Sequence, residues 1–122
     1  MKKLNLLIGV LMLAGLAWVS CATTNHLPGD PAYSWLNGVW NGKGMNWEQT
    51  FEFKVVDNNK IVGWQESRND ELGQVGWGQM VGEINGDIIK VTVYKGTTTV
   101  YNIRKTPERN LINQGIVLRK RT

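Results

Sequence analysis

Few side chains in this 122-residue sequence could carry catalytic or metal chemistry, because it contains one cysteine, Cys21, and one histidine, His26. A Ser-His-Asp or Cys-His arrangement cannot form after residue 26, and zinc ligation of the usual kind is excluded there for the same reason. Carboxylates remain, but a glycosidase needs two in one cleft. Glu52 is predicted to face outward, and Asp87 falls in a predicted turn. The sequence therefore predicts no enzyme activity, no metal and no cofactor.

Aromatic side chains are the second group that could carry chemistry. A pocket for a small molecule is mostly apolar and holds a few placed polar groups. Five aromatic residues could line such a pocket with one amide as a polar contact, and these six candidates are Trp47, Phe53, Trp64, Trp77, Tyr101 and Gln79. The alternative is that the aromatic rings only fill the core of a small domain.

The N-terminus has the layout of an export signal. Lys2 and Lys3 precede an apolar run over residues 6–19, which is short for a transmembrane helix but typical of a secretory signal. The run ends at Trp18-Val19-Ser20-Cys21, which resembles the lipobox of bacterial lipoproteins. The resemblance implies cleavage before Cys21, acylation of its thiol and a lipid anchor in a membrane. Cleavage after Ala22, leaving a soluble periplasmic or secreted protein, is the alternative.

The lipobox resemblance also implies a location. Residue 22 is alanine and not aspartate, which resembles the sorting pattern of lipoproteins sent to the outer membrane. We therefore expect a lipid-anchored protein of the bacterial cell envelope, in the outer membrane and facing the periplasm or the cell surface. A nucleic-acid partner is not expected in that compartment. Of the formal net charge of +4, the signal lysines Lys2 and Lys3 contribute two charges.

The chain divides into three parts on composition. Residues 1–20 form the predicted signal helix, and residues 21–34 are polar with two prolines and read as a flexible tether that carries His26. Residues 35–122 form one domain. The overall hydrophobic content of 42% with 20% charged residues is ordinary for a globular protein and argues against disorder.

The domain alternates with a period of two residues, which indicates β-strands. Phe51, Phe53 and Val55 fall on one predicted face, as do Ile89, Val91 and Val93. Turn signals such as Asn85-Gly86 separate the runs. Strands are expected near residues 36–43, 48–56, 60–66, 74–83, 87–94, 98–104 and 111–120. An eighth strand is expected from a division of 74–83 or from a short piece near 45–49.

These elements predict an all-β fold, an antiparallel up-and-down meander that closes into a small barrel of about eight strands. Closure removes the two exposed edges that a flat meander of this size would have. Glycines at 63, 73, 76, 78 and 82 fall in or beside strands and permit sharp coiling. We also expect the rings of Trp64 and Trp77 to pack over this bare backbone.

The segment Gly38-Val39-Trp40 resembles the Gly-x-Trp motif in the first strand of calycins, the group that includes lipocalins, fatty-acid-binding proteins and avidins. The resemblance covers residues 35–121. It implies that Trp40 closes the floor of the barrel and that a late basic residue, Arg119 or Arg121, packs over it. The chain is shorter than a typical lipocalin and has neither the disulfide nor the C-terminal helix.

Two classes of function follow from this sequence. The first is a membrane-anchored barrel that binds a small apolar molecule or lipid. The second is a protein-interaction barrel, such as an inhibitor of a hydrolase, that acts through loops at residues 43–46 and 66–73. A large cavity would favour the first class, and a filled interior would favour the second.

Overall fold

The computed structural model describes residues 25–121, so Cys21 and the predicted signal helix lie outside the described residues. A 3₁₀-helix, Pro31–Leu36, is followed by eight strands in a closed antiparallel barrel that runs in chain order. The strands are Gly38–Gly44 (β1), Trp47–Val56 (β2), Lys60–Asn69 (β3), Gln74–Asn85 (β4), Ile88–Lys95 (β5), Thr97–Lys105 (β6), Leu111–Asn113 (β7) and Ile116–Lys120 (β8). The predicted fold class is confirmed.

The eighth strand comes from a place that we did not predict. Residues 111–120 were expected to form one strand, but a turn at Gln114 and Gly115 divides them, with φ of 53° and 78°. Both residues are left-handed, as in the tight turns that join antiparallel strands. β4 runs without a break, so dividing residues 74–83 was wrong. β8 then pairs with β1 and closes the barrel.

Inward side chains follow the predicted alternation but differ between the two ends. Phe51, Phe53 and Val55 are buried, as expected. One end of the barrel is apolar and is covered by the 3₁₀-helix, whose Leu36 is fully buried; we call it the closed end. Strands β1, β3, β5 and β7 end at the other end, the open end, where inward positions on β2, β3 and β7 are amides or hydroxyls: Gln49, Gln65, Ser67, Asn69 and Asn113.

Trp40 lies at the floor of the closed end. Its indole Nε1 donates a hydrogen bond to the Leu36 carbonyl oxygen (2.9 Å), and the edge of the Trp35 ring meets it at 6.1 Å between centroids. The Arg109 guanidinium lies 5.7 Å from the centroid of the Trp35 ring, but Arg119 is not near this floor and is exposed on the outer face, because strand alternation turns it away from the core. Lys120, one residue later, instead donates to the Trp35 carbonyl oxygen (2.9 Å).

The predicted tether is not free of the barrel. Residues 26–30 run along the turn between β2 and β3, where Pro28 pairs with Val56. His26 Nδ1 lies 2.8 Å from a carboxylate oxygen of Asp57. Among the described residues, His26 already contacts the barrel, nine residues before the predicted boundary at 35.

Glycines allow the strands to coil, and the two tryptophans beside them lie on the outer wall of the barrel. At Gly63, φ is 157°, and a Cβ there would collide with the Glu52 carbonyl oxygen of β2. Gly78 likewise lies against the backbone of Tyr94. The coiling role is thus present, whereas Trp64 and Trp77 lie on the outer wall and are exposed.

Candidate functional site

A cavity of about 550 Å³ occupies the open end of the barrel. We call it the mouth cavity. Its walls come from inward side chains near the ends of the strands and from the β1–β2 and β7–β8 turns, and its lining residues are Gly44, Met45, Trp47, Gln49, Ser67, Lys95, Tyr101, Gln114, Gly115 and Ile116. The volume lies within the range of pockets that hold small molecules.

Aromatic side chains form the apolar part of the mouth cavity. Trp47 stands at the rim and is 37% exposed, while Tyr101 is almost fully buried deeper in the barrel. The Tyr101 ring meets the Phe51 ring edge to face at 5.7 Å, and Phe51 stacks on Phe53 at 5.6 Å. This aromatic stack closes the cavity from below. Phe53 therefore belongs to the core and not to the cavity wall.

Amide side chains form a fixed polar wall. Gln49 is buried, and its Nε2 donates to Gln114 Oε1 (2.9 Å). Its Oε1 accepts from Asn113 Nδ2, also at 2.9 Å. Because both ends of the Gln49 amide are held, this side chain has one defined orientation in the wall of the mouth cavity.

Lys95 brings a positive charge into the mouth cavity. Its Nζ donates to Ser67 Oγ (3.2 Å). The four ion pairs found among residues 25–121 do not include it. Burial lowers the pKa of Lys95 below its ordinary value, and the negative charge of Glu66 opposes that shift. Desolvation of this kind disfavours the ammonium form, so a bound anion would relieve it.

Glycine at position 78 gives Lys95 its room. A Cβ on Gly78 would lie 2.8 Å from Lys95 Cγ, closer than two carbon atoms can approach. Next to Lys95, Gln65 Nε2 donates to Ser67 Oγ (2.8 Å), while Gln65 Oε1 is buried with no hydrogen-bond partner. Gln65, Ser67 and Lys95 thus form one connected polar group in the barrel interior.

The structure separates the six candidate residues that we expected in one pocket. Trp47 and Tyr101 line the mouth cavity and Phe53 lies in the core. Trp64, Trp77 and Gln79 lie on the outer wall, because their positions alternate with inward residues. Sequence reasoning missed Gln49, Ser67 and Lys95. The period of two could have found them, since each shares a face with a buried apolar residue on its own strand.

The outer residues border a second cavity of about 520 Å³, which we call the outer groove; it is lined by Gly63, Trp64, Glu66, Trp77 and Gln79. A third, of about 330 Å³, lies between the β1–β2 and β3–β4 turns. This third cavity, the rim cleft, brings together parts of the two loops that the sequence predicted to share one end of the barrel. Its lining includes Met45, Asp70 and Glu71.

The described residues contain neither a metal-binding cluster nor a membrane-spanning helix. Residues 25–121 contain no group of three or more histidine, cysteine, aspartate or glutamate side chains placed to hold a metal ion. Within the same residues, no helix has the length and apolar character needed to cross a bilayer.

Comparisons with known proteins return no relative. No protein-family model, no curated protein and no solved structure matches this chain.

Proposed function

We propose that this protein binds a small amphiphilic molecule in the mouth cavity of its barrel, and that a lipid on Cys21 anchors it to a membrane of the bacterial cell envelope. The observation that carries the binding proposal is the mouth cavity itself, with one aromatic wall and one polar wall. An eight-stranded barrel has an interior that can hold a single small ligand. We assign it no catalytic step.

The two walls indicate which parts of the ligand lie where. An apolar part would pack between Trp47 and Tyr101, while a polar or anionic group would lie near Lys95 Nζ and the Gln49 amide. A wholly apolar ligand would leave the ammonium of Lys95 without a counter-charge in a partly desolvated site, which is unfavourable. An amphiphile with an anionic end fits better than the purely apolar ligand expected from the sequence.

Binding can be tested on a chain of residues 22–122, which retains every described contact. The fluorescent probe anilinonaphthalene sulfonate combines an anion with apolar rings. We expect saturable binding that weakens at least tenfold in Lys95→Met and in Trp47→Ala. Lys90→Met is the matched control, because Lys90 lies on the same strand but outside the barrel. Absence of saturable binding, together with native mass spectra free of any ligand, would reject the binding proposal.

The anchor proposal is supported by the sequence pattern around Cys21 and by the position of residue 26. Five residues span at most about 18 Å when fully extended. Because His26 lies against Asp57 at the closed end, a lipid on Cys21 would hold the closed end near the membrane. The mouth cavity would then open away from the bilayer, toward ligands dissolved in the surrounding compartment.

Labelling with a fatty-acid analogue tests the anchor. Wild-type protein in a bacterial host should incorporate the label and remain in the membrane fraction, and Cys21→Ser should do neither. Equal labelling of the two proteins, or a soluble mature form that begins at Thr23, would reject the lipid anchor. Neither result bears on binding at the mouth cavity.

A second candidate function is inhibition of a hydrolase through the rim cleft. The observation in its favour is apolar exposure at the rim, where Met45 is 94% exposed and Leu72 63%. The double variant Met45→Ser/Leu72→Ser should abolish inhibition of a lysozyme or a protease if the rim is the contact. Wild-type protein that inhibits no member of such a panel would exclude this function.

A further inference from the structure

The outer wall of β3, β4 and β5 exposes more aromatic surface than a solvent-facing sheet needs. Trp64 is 41% exposed, Trp77 66% and Tyr94 52%. Contiguous apolar surface of this kind marks interaction sites on soluble proteins, whereas single exposed apolar residues do not. These three side chains serve neither the core nor the mouth cavity, so their clustering calls for a separate explanation.

The strand register places the three aromatic residues around one amide. Trp64 on β3 and Tyr94 on β5 are both directly opposite Gln79 on β4. Neighbouring strands lie about 4.8 Å apart, so the Cα atoms of Trp64 and Tyr94 are separated by roughly 10 Å. Trp77 precedes Gln79 by two residues on the same face and is the diagonal neighbour of Trp64. Diagonal pairs are about 7–8 Å apart, which leaves space beside each ring.

Polar groups lie between these rings. The Glu66 carboxylate and the Gln79 amide both line the outer groove. Arg68 Nη2 lies 3.4 Å from a Glu66 oxygen, so a positive charge already accompanies the carboxylate. The outer groove therefore combines flat apolar ring faces with hydrogen-bond acceptors and donors and with little uncompensated charge.

We propose that the outer groove binds carbohydrate, namely a pyranose ring of a β-linked glycan. A pyranose with equatorial hydroxyls has flat C–H faces that stack on indole rings, and its edge hydroxyls can bond to a carboxylate and an amide. The backbone of Gly63 also borders the groove. Trp64 and Tyr94 are spaced widely enough for two different sugars of one chain to reach them.

Other occupants of the outer groove fit less well. Burial against a lipid bilayer or against the apolar face of a second copy would desolvate the Glu66–Arg68 ion pair and leave the Gln79 amide without a new partner, which is unfavourable. A glycan supplies a hydroxyl to each of these groups. The groove is also open to solvent, which suits a chain that continues beyond it.

The test uses residues 22–122 with chitotetraose and cellotetraose in titration calorimetry. We expect at least one of them to bind, with at least tenfold weaker binding in Trp77→Ala and in Trp64→Ala and an unchanged melting temperature. Glu66→Gln should weaken binding less, because the amide still accepts a hydrogen bond. Val100→Ser is the control, since Val100 is exposed on the same outer wall but lies on β6, away from the groove.

Three results would overturn the carbohydrate site. The first is the absence of binding to either sugar and to a panel of β-linked polysaccharides. The second is wild-type self-association that Trp77→Ala abolishes, which would assign the groove to a second copy. The third is Trp77-dependent binding to phosphatidylglycerol vesicles without sugar binding. The mouth cavity probe should bind Trp77→Ala normally, so this test is independent of the proposed amphiphile site.

Discussion

The two ends of the barrel differ in how their inward positions are filled. At the closed end, Trp40 and Leu118 are almost fully buried, and the 3₁₀-helix that covers them contributes the fully buried Leu36. At the open end, the strands bury Gln49 and Gln65, and they turn the ammonium of Lys95 inward. Burial of apolar area stabilises the fold, whereas burial of amides and charge adds little or opposes it. The closed end therefore carries the stability, and the open end retains groups suited to binding.

Some turns at the two ends show the same difference, although Arg109 in the β6–β7 turn at the closed end is also left-handed, with φ of 62°. The β2–β3 turn at the closed end has Asp57 and Asn58 with φ of 48° and 76°, and these residue types tolerate the left-handed region. At the open end, Met45 and Gln114 adopt φ of 50° and 53°. Neither methionine nor glutamine is a residue type that favours this conformation, yet both line the mouth cavity. Strain of this kind tends to concentrate at functional sites.

The largest effect is expected at the floor of the closed end. Trp40→Ala should lower the free energy of unfolding by about 3–5 kcal/mol, the usual cost of emptying a buried large aromatic site. It also removes the hydrogen bond to the Leu36 carbonyl. Trp47→Ala at the rim of the mouth cavity is the matched control and should lower the free energy of unfolding much less. Equal decreases in the free energy of unfolding for the two variants, measured by urea denaturation, would show that both ends contribute equally to stability.

A gain of stability is expected when the strain at the open end is removed. Met45→Gly should raise the free energy of unfolding by about 1 kcal/mol, because glycine has no steric penalty in the left-handed region. Asn58→Gly at the closed end should change it less, since asparagine already tolerates that conformation. Met45→Gly should also weaken binding of the fluorescent probe in the mouth cavity. A stability loss in Met45→Gly would mean that the Met45 side chain packs usefully at the rim.

The sequence predicted the frame of the molecule better than its site. The period of two at Phe51, Phe53 and Val55 identified both the strands and their buried face, because apolar burial imposes that alternation. The β7–β8 turn was missed since Gln114-Gly115 lacks the asparagine that marks such turns. The contact between His26 and Asp57 was not predicted, because it joins residues that are distant in the sequence.

The site could be predicted only in part. Trp47 and Tyr101 were found because aromatic residues are natural candidates for a cavity wall. Lys95 was missed because the predicted strand ended at residue 94, and its placement in the barrel depends on Gly78 of the neighbouring strand. Trp64 and Trp77 were expected inside because of their size. Residue size favours burial in general but does not decide the face on which a given strand position lies.

A smaller effect with a clear pH dependence is expected at Lys95. The folded state lowers its pKa, so between the folded value and 10.5 the unfolded chain binds more protons and stability rises with pH. Lys95→Met removes this dependence and should melt at or above the wild-type temperature at pH 7. The difference should narrow as the pH approaches 10.5. Melting curves with parallel pH profiles in both proteins would show that Lys95 is not desolvated in the folded state.

The smallest effect is expected where the N-terminal segment meets the closed end. The hydrogen bond from the His26 side chain, and then that from the Leu27 backbone N–H, lower the pKa of the Asp57 carboxyl below 3.8. A carboxyl with a lowered pKa contributes stability that is present above its unfolded value and is lost as the pH falls through the folded one. The melting temperature of the wild-type protein should therefore decrease slightly as the pH falls from the unfolded pKa of Asp57 through its folded pKa.

Asp57→Asn isolates the charge at that position, because asparagine also tolerates the left-handed backbone and its Oδ1 can still accept from the Leu27 N–H. The variant should melt slightly below wild type at pH 6, and the two curves should converge as the pH falls through the folded pKa of Asp57, where both side chains become neutral. A constant difference in melting temperature between the two proteins across this pH range would mean that the carboxylate acts through local packing and not through its charge. Since Asp57 lies at the surface, the increment is small compared with that of Trp40, as expected if buried apolar contacts dominate the stability of the closed end.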